Sequence, residues 1–291
     1  MAQDVIAIIC DCDGTLCPDS TDKLVRELGL VSDQFWKRDV VSLIEDGWDH
    51  TLAYLNELLG PTQGRSTGPL TRSKLESVGG DVGFYPGALD FVDRLRGKLS
   101  GHAEYWEAGV TVEWYIVSSG IEEVLRATPL GRLASDIFAC AFAYDDTGRV
   151  VAVKRSVTFT EKTKFIHAIG KGVSGREMRR RPFRVNDAIK DEDRRVPFEH
   201  MVYIGDGPSD ISCFSMIRQL KGKAIGVWPP EDTELRKPYE LAEGERLTVG
   251  PYAADFRDGS DLFKMLWRIV QGIADTILEK REQRLRSGPG H

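Results

Sequence analysis

The chain opens on a continuous apolar run, Val5-Ile6-Ala7-Ile8-Ile9-Cys10, too short for a stable helix and without polar alternation. Such a run reads as a strand buried on both faces, as in a parallel sheet. Comparable runs at Thr111–Val117, Ile137–Ala143, Met201–Ile204 and Ala224–Trp228 predict further strands. Helix-period segments separate several of them. Leu89, Val92 and Leu95 share one helical face, Phe165, Ile166 and Ile169 share another, and a third helix begins at Ile211. Strands alternating with helices predict an α/β chain: a doubly wound, mainly parallel, Rossmann-like sheet.

Residues 18–83 break that alternation. Their apolar positions keep helical spacing: Leu24, Val25 and Leu28; then Phe35, Trp36, Val40, Leu43 and Ile44; then Trp48, Leu52, Leu55, Leu58 and Leu59. Gly60-Pro61, Gly64 and Gly68-Pro69 punctuate the stretch as loops, and Tyr85-Pro86-Gly87 marks the return. The pattern predicts a small helical cap over 18–83, inserted after the first strand into a core made of 1–17 and 84–291. Two further features belong to that core. Residues 170–195 are polar, with arginines at 176, 179, 180, 181 and 184, and read as a solvated excursion. Leu262, Phe263, Leu266, Ile269, Val270, Ile273 and Ile277 predict an amphipathic helix over about 260–284, followed by a frayed Arg-Ser-Gly-Pro-Gly-His tail.

Charge changes the picture little. Thirty-nine Lys and Arg against 45 Asp and Glu give a net charge of −6, which argues against nucleic acid or an anionic membrane as a partner. No apolar run approaches the roughly 20 residues of a membrane span. The five cysteines are an odd number in a chain too large to need disulfide staples. With no signal peptide ahead of them, the expected compartment is the reducing cytoplasm. Cys10, Cys12 and Cys17 cluster, but no CxxC pair or His cluster completes a zinc site.

The chemistry sits at two strand ends. The first strand runs into Asp11-Cys12-Asp13-Gly14-Thr15, where alternation points Asp11 and Asp13 one way and Cys10 and Cys12 the other. Two carboxylates at the C-terminal end of a buried parallel strand lie where open α/β sheets bind ligands. Left unpaired they repel each other and resist desolvation, so a divalent cation is their natural partner. Gly14 permits a tight turn, and Thr15 offers a hydroxyl and an amide there. A second acidic element, Gly205-Asp206-Gly207-Pro208-Ser209-Asp210, follows the Met201 strand. Asp210 stands near the start of the next helix, where it also suits a cap.

Asp-x-Asp-Gly-Thr after a first strand, with Gly-Asp-Gly-x-x-Asp after a later one, resembles the haloacid dehalogenase (HAD) superfamily of phosphohydrolases. The resemblance implies two further motifs. Ser118 ends the Trp114-Tyr115-Ile116-Val117 run and is followed by Ser119-Gly120. Glu161-Lys162-Thr163-Lys164 offers the lysine, Lys162 being preferred over Lys164. The ordered set spans Asp11 to Asp210, and the insertion after the first motif is similar to the phosphoserine-phosphatase-like branch.

This likeness implies a Mg2+-dependent phosphatase acting on a small phosphorylated metabolite through an aspartyl-phosphate. Asp11 is then the nucleophile and Asp13 the general acid and base. Ser118 and Lys162 hold the phosphate, with Gly14, Thr15, Ser119 and Gly120 beside it. Asp11, the Asp13 carbonyl, Asp206 and Asp210 form the metal site. One departure matters: the branch carries a Glu nine positions after the nucleophile, and Ser20 stands there, which counts against phosphoserine as substrate. A phosphotransferase or mutase with the same nucleophile, and a catalytically silent binding module, are the competing readings.

Overall fold

Six consecutive apolar residues with no polar face suit only the middle of a sheet, and that is where β1 (Val5–Cys10) lies in a computed structural model of the protein, which describes residues 3–60, 68–232, 240, 244 and 246–286. β1 pairs in parallel with β2 (Thr111–Ile121) on one side and β5 (Met201–Gly205) on the other. β3 (Asp136–Tyr144) continues beyond β2. β6 (Lys223–Trp228) and β7 (Val249–Ala253) continue beyond β5, all parallel. β4 (Val150–Arg155) closes the far edge antiparallel to β3, giving the order β4-β3-β2-β1-β5-β6-β7. The doubly wound α/β sheet of the sequence reading is therefore present.

Both strands absent from that reading are edges. β4 is half exposed on a short hairpin; its Val150-Val151-Ala152-Val153 run is apolar and mostly β-branched, a strand signal that the sequence reading passed over. β7 carries Gly250-Pro251, a loop signal by sequence but tolerated where one side of the ladder is open.

Between β1 and β2 the chain forms α1 (Ser20–Glu27), a helical stretch over 32–45 with a π-helical turn at Phe35–Val40, then α2 (His50–Leu59) and α3 (Arg72–Gly80). Each principal helix starts on its own cap: Asp19 accepts from the Asp22 amide, Asp49 from Thr51 and Leu52, Thr71 from Lys74. α3 was not anticipated; its apolar positions are few. Of the loop signals, Pro61 and Gly64 lie outside the described residues.

Pleating divides the core. Ile6, Ile8 and Cys10 face a cluster shared with α4 (Phe91–Ser100), and α5 (Glu122–Ala127) adds Leu125 to it. Val5, Ala7 and Ile9 face the other cluster, which Leu24, Phe35, Leu55 and Leu75 of the inserted helices join. α6 (Glu161–Lys171) and α7 (Ile211–Gln219) cover that second face. α8 (Asp261–Arg286) packs on the first face through Leu262, Leu266, Val270 and Ile273, and the tail after it lies outside the described residues.

The 170–195 excursion is more ordered than its polarity suggests. It holds helical turns at Gly175–Arg180, Pro182–Asn186 and Asp191–Asp193, and Val173 and Val185 pack on Ala168. No helix among the described residues is long and apolar enough to cross a membrane.

Candidate active site

Strand order reverses at β1, since the chain moves to β2 on one side and returns to β5 on the other. The crevice at the C-terminal ends of such strands is the usual ligand site of a doubly wound sheet. Asp11 is the first residue past β1 and Asp206 the first past β5, while Ser118 stands near the end of β2. Three adjacent strands thus deliver three of the expected side chains to one place.

Asp11 is nearly buried and held from both oxygens. Oδ1 accepts from the Cys12 amide at 2.7 Å, and Oδ2 accepts from Lys162 Nζ at 2.8 Å. Lys162, on the first turn of α6, is completely buried and also donates to Asp210 Oδ1 at 2.8 Å. Lys164 turns away to Glu161 at 2.7 Å, so of the two candidate lysines only Lys162 reaches the carboxylates. Burial raises the Asp11 carboxyl to about 6; Lys162 pulls it down, and the Asp210 charge pushes it up. Burial also opposes the Lys162 charge, but the two carboxylates outweigh it and keep the ammonium protonated.

Asp210 is saturated. Besides Lys162, its Oδ1 accepts from Tyr203 at 2.6 Å, and its Oδ2 accepts from the amides of Asp206 at 3.2 Å and Gly207 at 3.4 Å. It locks the 206–210 loop and anchors the lysine. Tyr203 was missed by sequence reasoning because Met-Val-Tyr-Ile reads as plain core. The available signal was its hydroxyl, which needs a partner inside a strand buried on both faces.

Asp13 leans toward the inserted helices, accepting from the Ser20 amide at 2.8 Å. Burial first, and then the neighbouring Asp19 charge, raise its carboxyl to about 8, so it holds a proton at neutral pH. Cys12 points into the opposite cluster, its Sγ 3.6 Å from that of Cys17. The bond to Cys17 favours the Cys12 thiolate, yet burial and the nearby carboxylates win and raise its pKa. Although Cys12, Asp13 and Cys17 come close enough to share an ion, a thiol kept protonated is a poor ligand.

The turn itself differs from expectation in one respect. The Gly14 amide donates to Cys17 O at 2.8 Å and the Thr15 amide to Cys12 O at 3.2 Å, so both close the loop. Thr15 Oγ1 is buried without a partner among the described residues, and Thr15 does not line the cavity described below. Gly14 is required for two reasons: its φ is +74°, and a Cβ there would stand 2.2 Å from Asp206 Oδ2. Gly14→Ala is expected to lower stability by about 1–2 kcal/mol from the left-handed backbone alone. The check is a denaturant midpoint that falls while the slope holds; an unmoved midpoint would contradict the turn as described.

A cavity of about 180 Å³ opens over these groups. Asp11, Asp13, Ser118, Ser119, Gly120 and Asp206 line it from the strand ends. Ser118 Oγ accepts from the Gly120 amide at 2.9 Å, in the stretch where β2 loses register with β3. Ser119 Oγ is committed to Val157 O at 2.8 Å. Trp36, His50 and Tyr54 enter from the inserted helices, with Phe159 from the loop before α6. None of the four was read as a site residue: helical spacing assigns Trp36 to packing, and His50, Tyr54 and Phe159 stand in no motif.

The donor set fits a hard cation. One oxygen each from Asp11, Asp206 and Asp210 lie within 4.8 Å of one another, and all three residues are buried. With both Asp210 oxygens engaged, Asp11 and Asp206 are the carboxylates placed for a cation, and the expected Asp210 ligand is instead an anchor for Lys162. An all-carboxylate oxygen set suits Mg2+ or Ca2+ rather than a soft metal.

Known proteins share this architecture. A HAD-family hydrolase from Salmonella enterica serovar Typhi superposes with a TM-score of 0.57 at 14% identity, over 92% of this chain and 72% of that one. The chain has the HAD hydrolase fold. A phosphoserine phosphatase solved as a phospho-aspartyl intermediate analogue gives a TM-score of 0.53 at 18% identity, covering 90% of this chain and 98% of the other. A probable phosphoserine phosphatase from Vibrio cholerae gives 0.53 at 13%, covering 96% and 68%. By sequence, an uncharacterized protein of Borreliella burgdorferi is 25% identical over 240 residues, 75% of this chain and 80% of its own length. No family profile matches the chain. Within the HAD fold, Asp11, Asp206 and Lys162 occupy the strand-end crevice at the centre of the sheet.

Proposed function

We propose that the protein is a Mg2+-dependent phosphomonoester hydrolase working through an aspartyl-phosphate on Asp11. The observation that carries this reading is the buried Asp11–Lys162–Asp210 chain at the strand-order reversal, with Asp206 beside it. It presents one carboxylate to the cavity and keeps a permanent cation behind it.

In this reading Asp11 attacks phosphorus in line, the ester P–O bond breaks, and the electron pair leaves with the alcohol oxygen. Asp13, protonated at neutral pH, gives that oxygen its proton; as the resulting carboxylate it then takes a proton from the water that cleaves the acyl phosphate. Lys162 and the Ser118 hydroxyl offset the phosphoryl charge. Asp11, Asp206 and the Asp13 carbonyl would hold the cation, while Asp210, its oxygens already engaged, acts by fixing Lys162 and the loop. Bound Mg2+ would supply the positive charge that lets a carboxylate and a phosphate meet. Residues 18–83 serve as the cap over a core of 1–17 and 84–291. A cavity of 180 Å³ favours a small phosphorylated metabolite, and five buried free cysteines suit a cytoplasmic enzyme.

The test is hydrolysis of 4-nitrophenyl phosphate. Activity is expected with Mg2+, and EDTA or Asp206→Ala should cut it by at least 100-fold. Full turnover in metal-free buffer would remove the metal from the reading; no turnover of any phosphomonoester would remove the hydrolase itself.

A further inference from the structure

Nothing in the chemistry above uses the half of the cavity that faces away from the strand ends. A phosphate seated over Asp11 must project its alcohol group into that half, so its lining selects the substrate. The lining is a continuous aromatic wall. Ring centroids lie 5.7 Å apart for Trp36 and Tyr54, 6.4 Å for His50 and Tyr54, and 5.5 Å for His50 and Phe159. Two of the rings have their polar tips engaged elsewhere: Trp36 Nε1 donates to Asp22 at 3.0 Å, and the Tyr54 hydroxyl to Ser119 O. What the two residues offer the cavity is their ring surface.

Asp19 lines the same cavity, and its charge is felt at Asp13. Among the described residues the lining holds four carboxylates, from Asp11, Asp13, Asp19 and Asp206, and no Lys or Arg. We propose that the cavity takes phosphomonoesters whose alcohol ends in an alkylated ammonium group, received by the aromatic wall and by Asp19. This rests on the hydrolase reading above.

Chemistry excludes the neighbouring classes. An amino-acid phosphoester brings a carboxylate, which meets no Lys or Arg among the described residues of the lining. A nucleotide is too large, since pockets for drug-sized ligands run to about 300–1,000 Å³. A neutral alkyl group gains nothing from the Asp19 carboxylate. An alkylated ammonium is attracted both by ring faces and by a carboxylate, and it needs no directed hydrogen bond.

The experiment compares phosphocholine with its neutral isostere 3,3-dimethylbutyl phosphate, which has carbon in place of the charged nitrogen. Phosphoserine and 4-nitrophenyl phosphate are assayed alongside, all with Mg2+. Phosphocholine is expected to exceed the isostere at least tenfold in kcat/KM, with phosphoserine below both. Asp19→Asn keeps an oxygen to cap α1 and removes the charge. It should collapse the phosphocholine-to-isostere ratio, chiefly through KM for phosphocholine. If 4-nitrophenyl phosphate is hydrolysed but the two alkyl esters differ by less than tenfold, the cation site is overturned and the hydrolase stands. If the ratio is large but Asp19→Asn leaves it unchanged, Asp19 is not the receiving carboxylate. If no ester is hydrolysed, both readings fall together.

Discussion

Asp11→Asn is expected to leave neither measurable turnover nor a phosphoenzyme, while Asp13→Asn should slow turnover by roughly 10²–10⁴-fold and trap the intermediate. The contrast follows from where the two carboxylates stand. Asp11 lies at the strand end with Lys162 on one oxygen, so it is the anion able to approach phosphorus. Its amide replacement is no nucleophile. Asp13 is raised to about 8 and bonded to the Ser20 amide at the rim of the inserted helices, which suits a proton donor to the leaving oxygen. Asn at 13 preserves the backbone carbonyl and the turn. An aryl phosphate, whose alcohol leaves without much protonation, should still phosphorylate Asp11 in that variant. Removal of the phosphoryl group by water then lacks its base, and the acyl phosphate should accumulate. Rapid mixing should show a burst of aryl alcohol near one per active site, and intact mass one added phosphate. A burst from Asp11→Asn and none from Asp13→Asn would reverse the two roles.

The central sheet and the Asp11/Asp13 strand end were readable in the sequence from simple periodicities, while Ser118 and Lys162 became candidates only through the family resemblance. β1 shows itself as a run with no polar face, and period-two alternation separates Asp11 and Asp13 from Cys10 and Cys12 before any coordinates exist. The choice between Lys162 and Lys164 was legible only as a preference. What separates them is that Lys162 is completely buried between Asp11 and Asp210 while Lys164 pairs with Glu161, and that depends on contacts 151 and 48 residues away in sequence. Of the two edge strands, β7 carries Gly250-Pro251 and so reads as a loop, whereas the Val150-Val151-Ala152-Val153 run of β4 was a legible strand signal that went unused. Tyr203 and the wall of Trp36, His50, Tyr54 and Phe159 went unseen because an aromatic that packs and an aromatic that lines a cavity obey the same spacing. Only the way the inserted helices meet the strand ends tells them apart.

Lys162→Met should give the largest stability loss of any single substitution in the site, and one that depends on pH. Methionine is unbranched and comparably long, so it keeps the packing and removes the charge. That leaves the Asp11 and Asp210 carboxylates buried without their cation, a loss of about 3–5 kcal/mol by the usual cost of breaking a buried ion pair from one side. The pH dependence comes through Asp11. Its folded pKa of about 6 lies above the ordinary 3.8, so its protonation favours the folded state. That contribution is complete below about 3.8 and disappears as pH rises through 6. Lys162 is the main influence holding the value down; without it, burial and the Asp210 charge carry the pKa further up. At pH 5.5 the variant's Asp11 is then largely protonated, while the wild-type lysine keeps its charge throughout. The deficit should therefore be widest at pH 8 and shrink toward pH 5.5, read as denaturant midpoints of both proteins in EDTA. Turnover should fall in parallel by about 10²–10³-fold, as when one charge-stabilising donor is lost. A deficit that stays constant from pH 8 to pH 5.5 would mean that the lysine stabilises the fold by its packing, and that the charge of Asp11 is balanced by something other than Lys162.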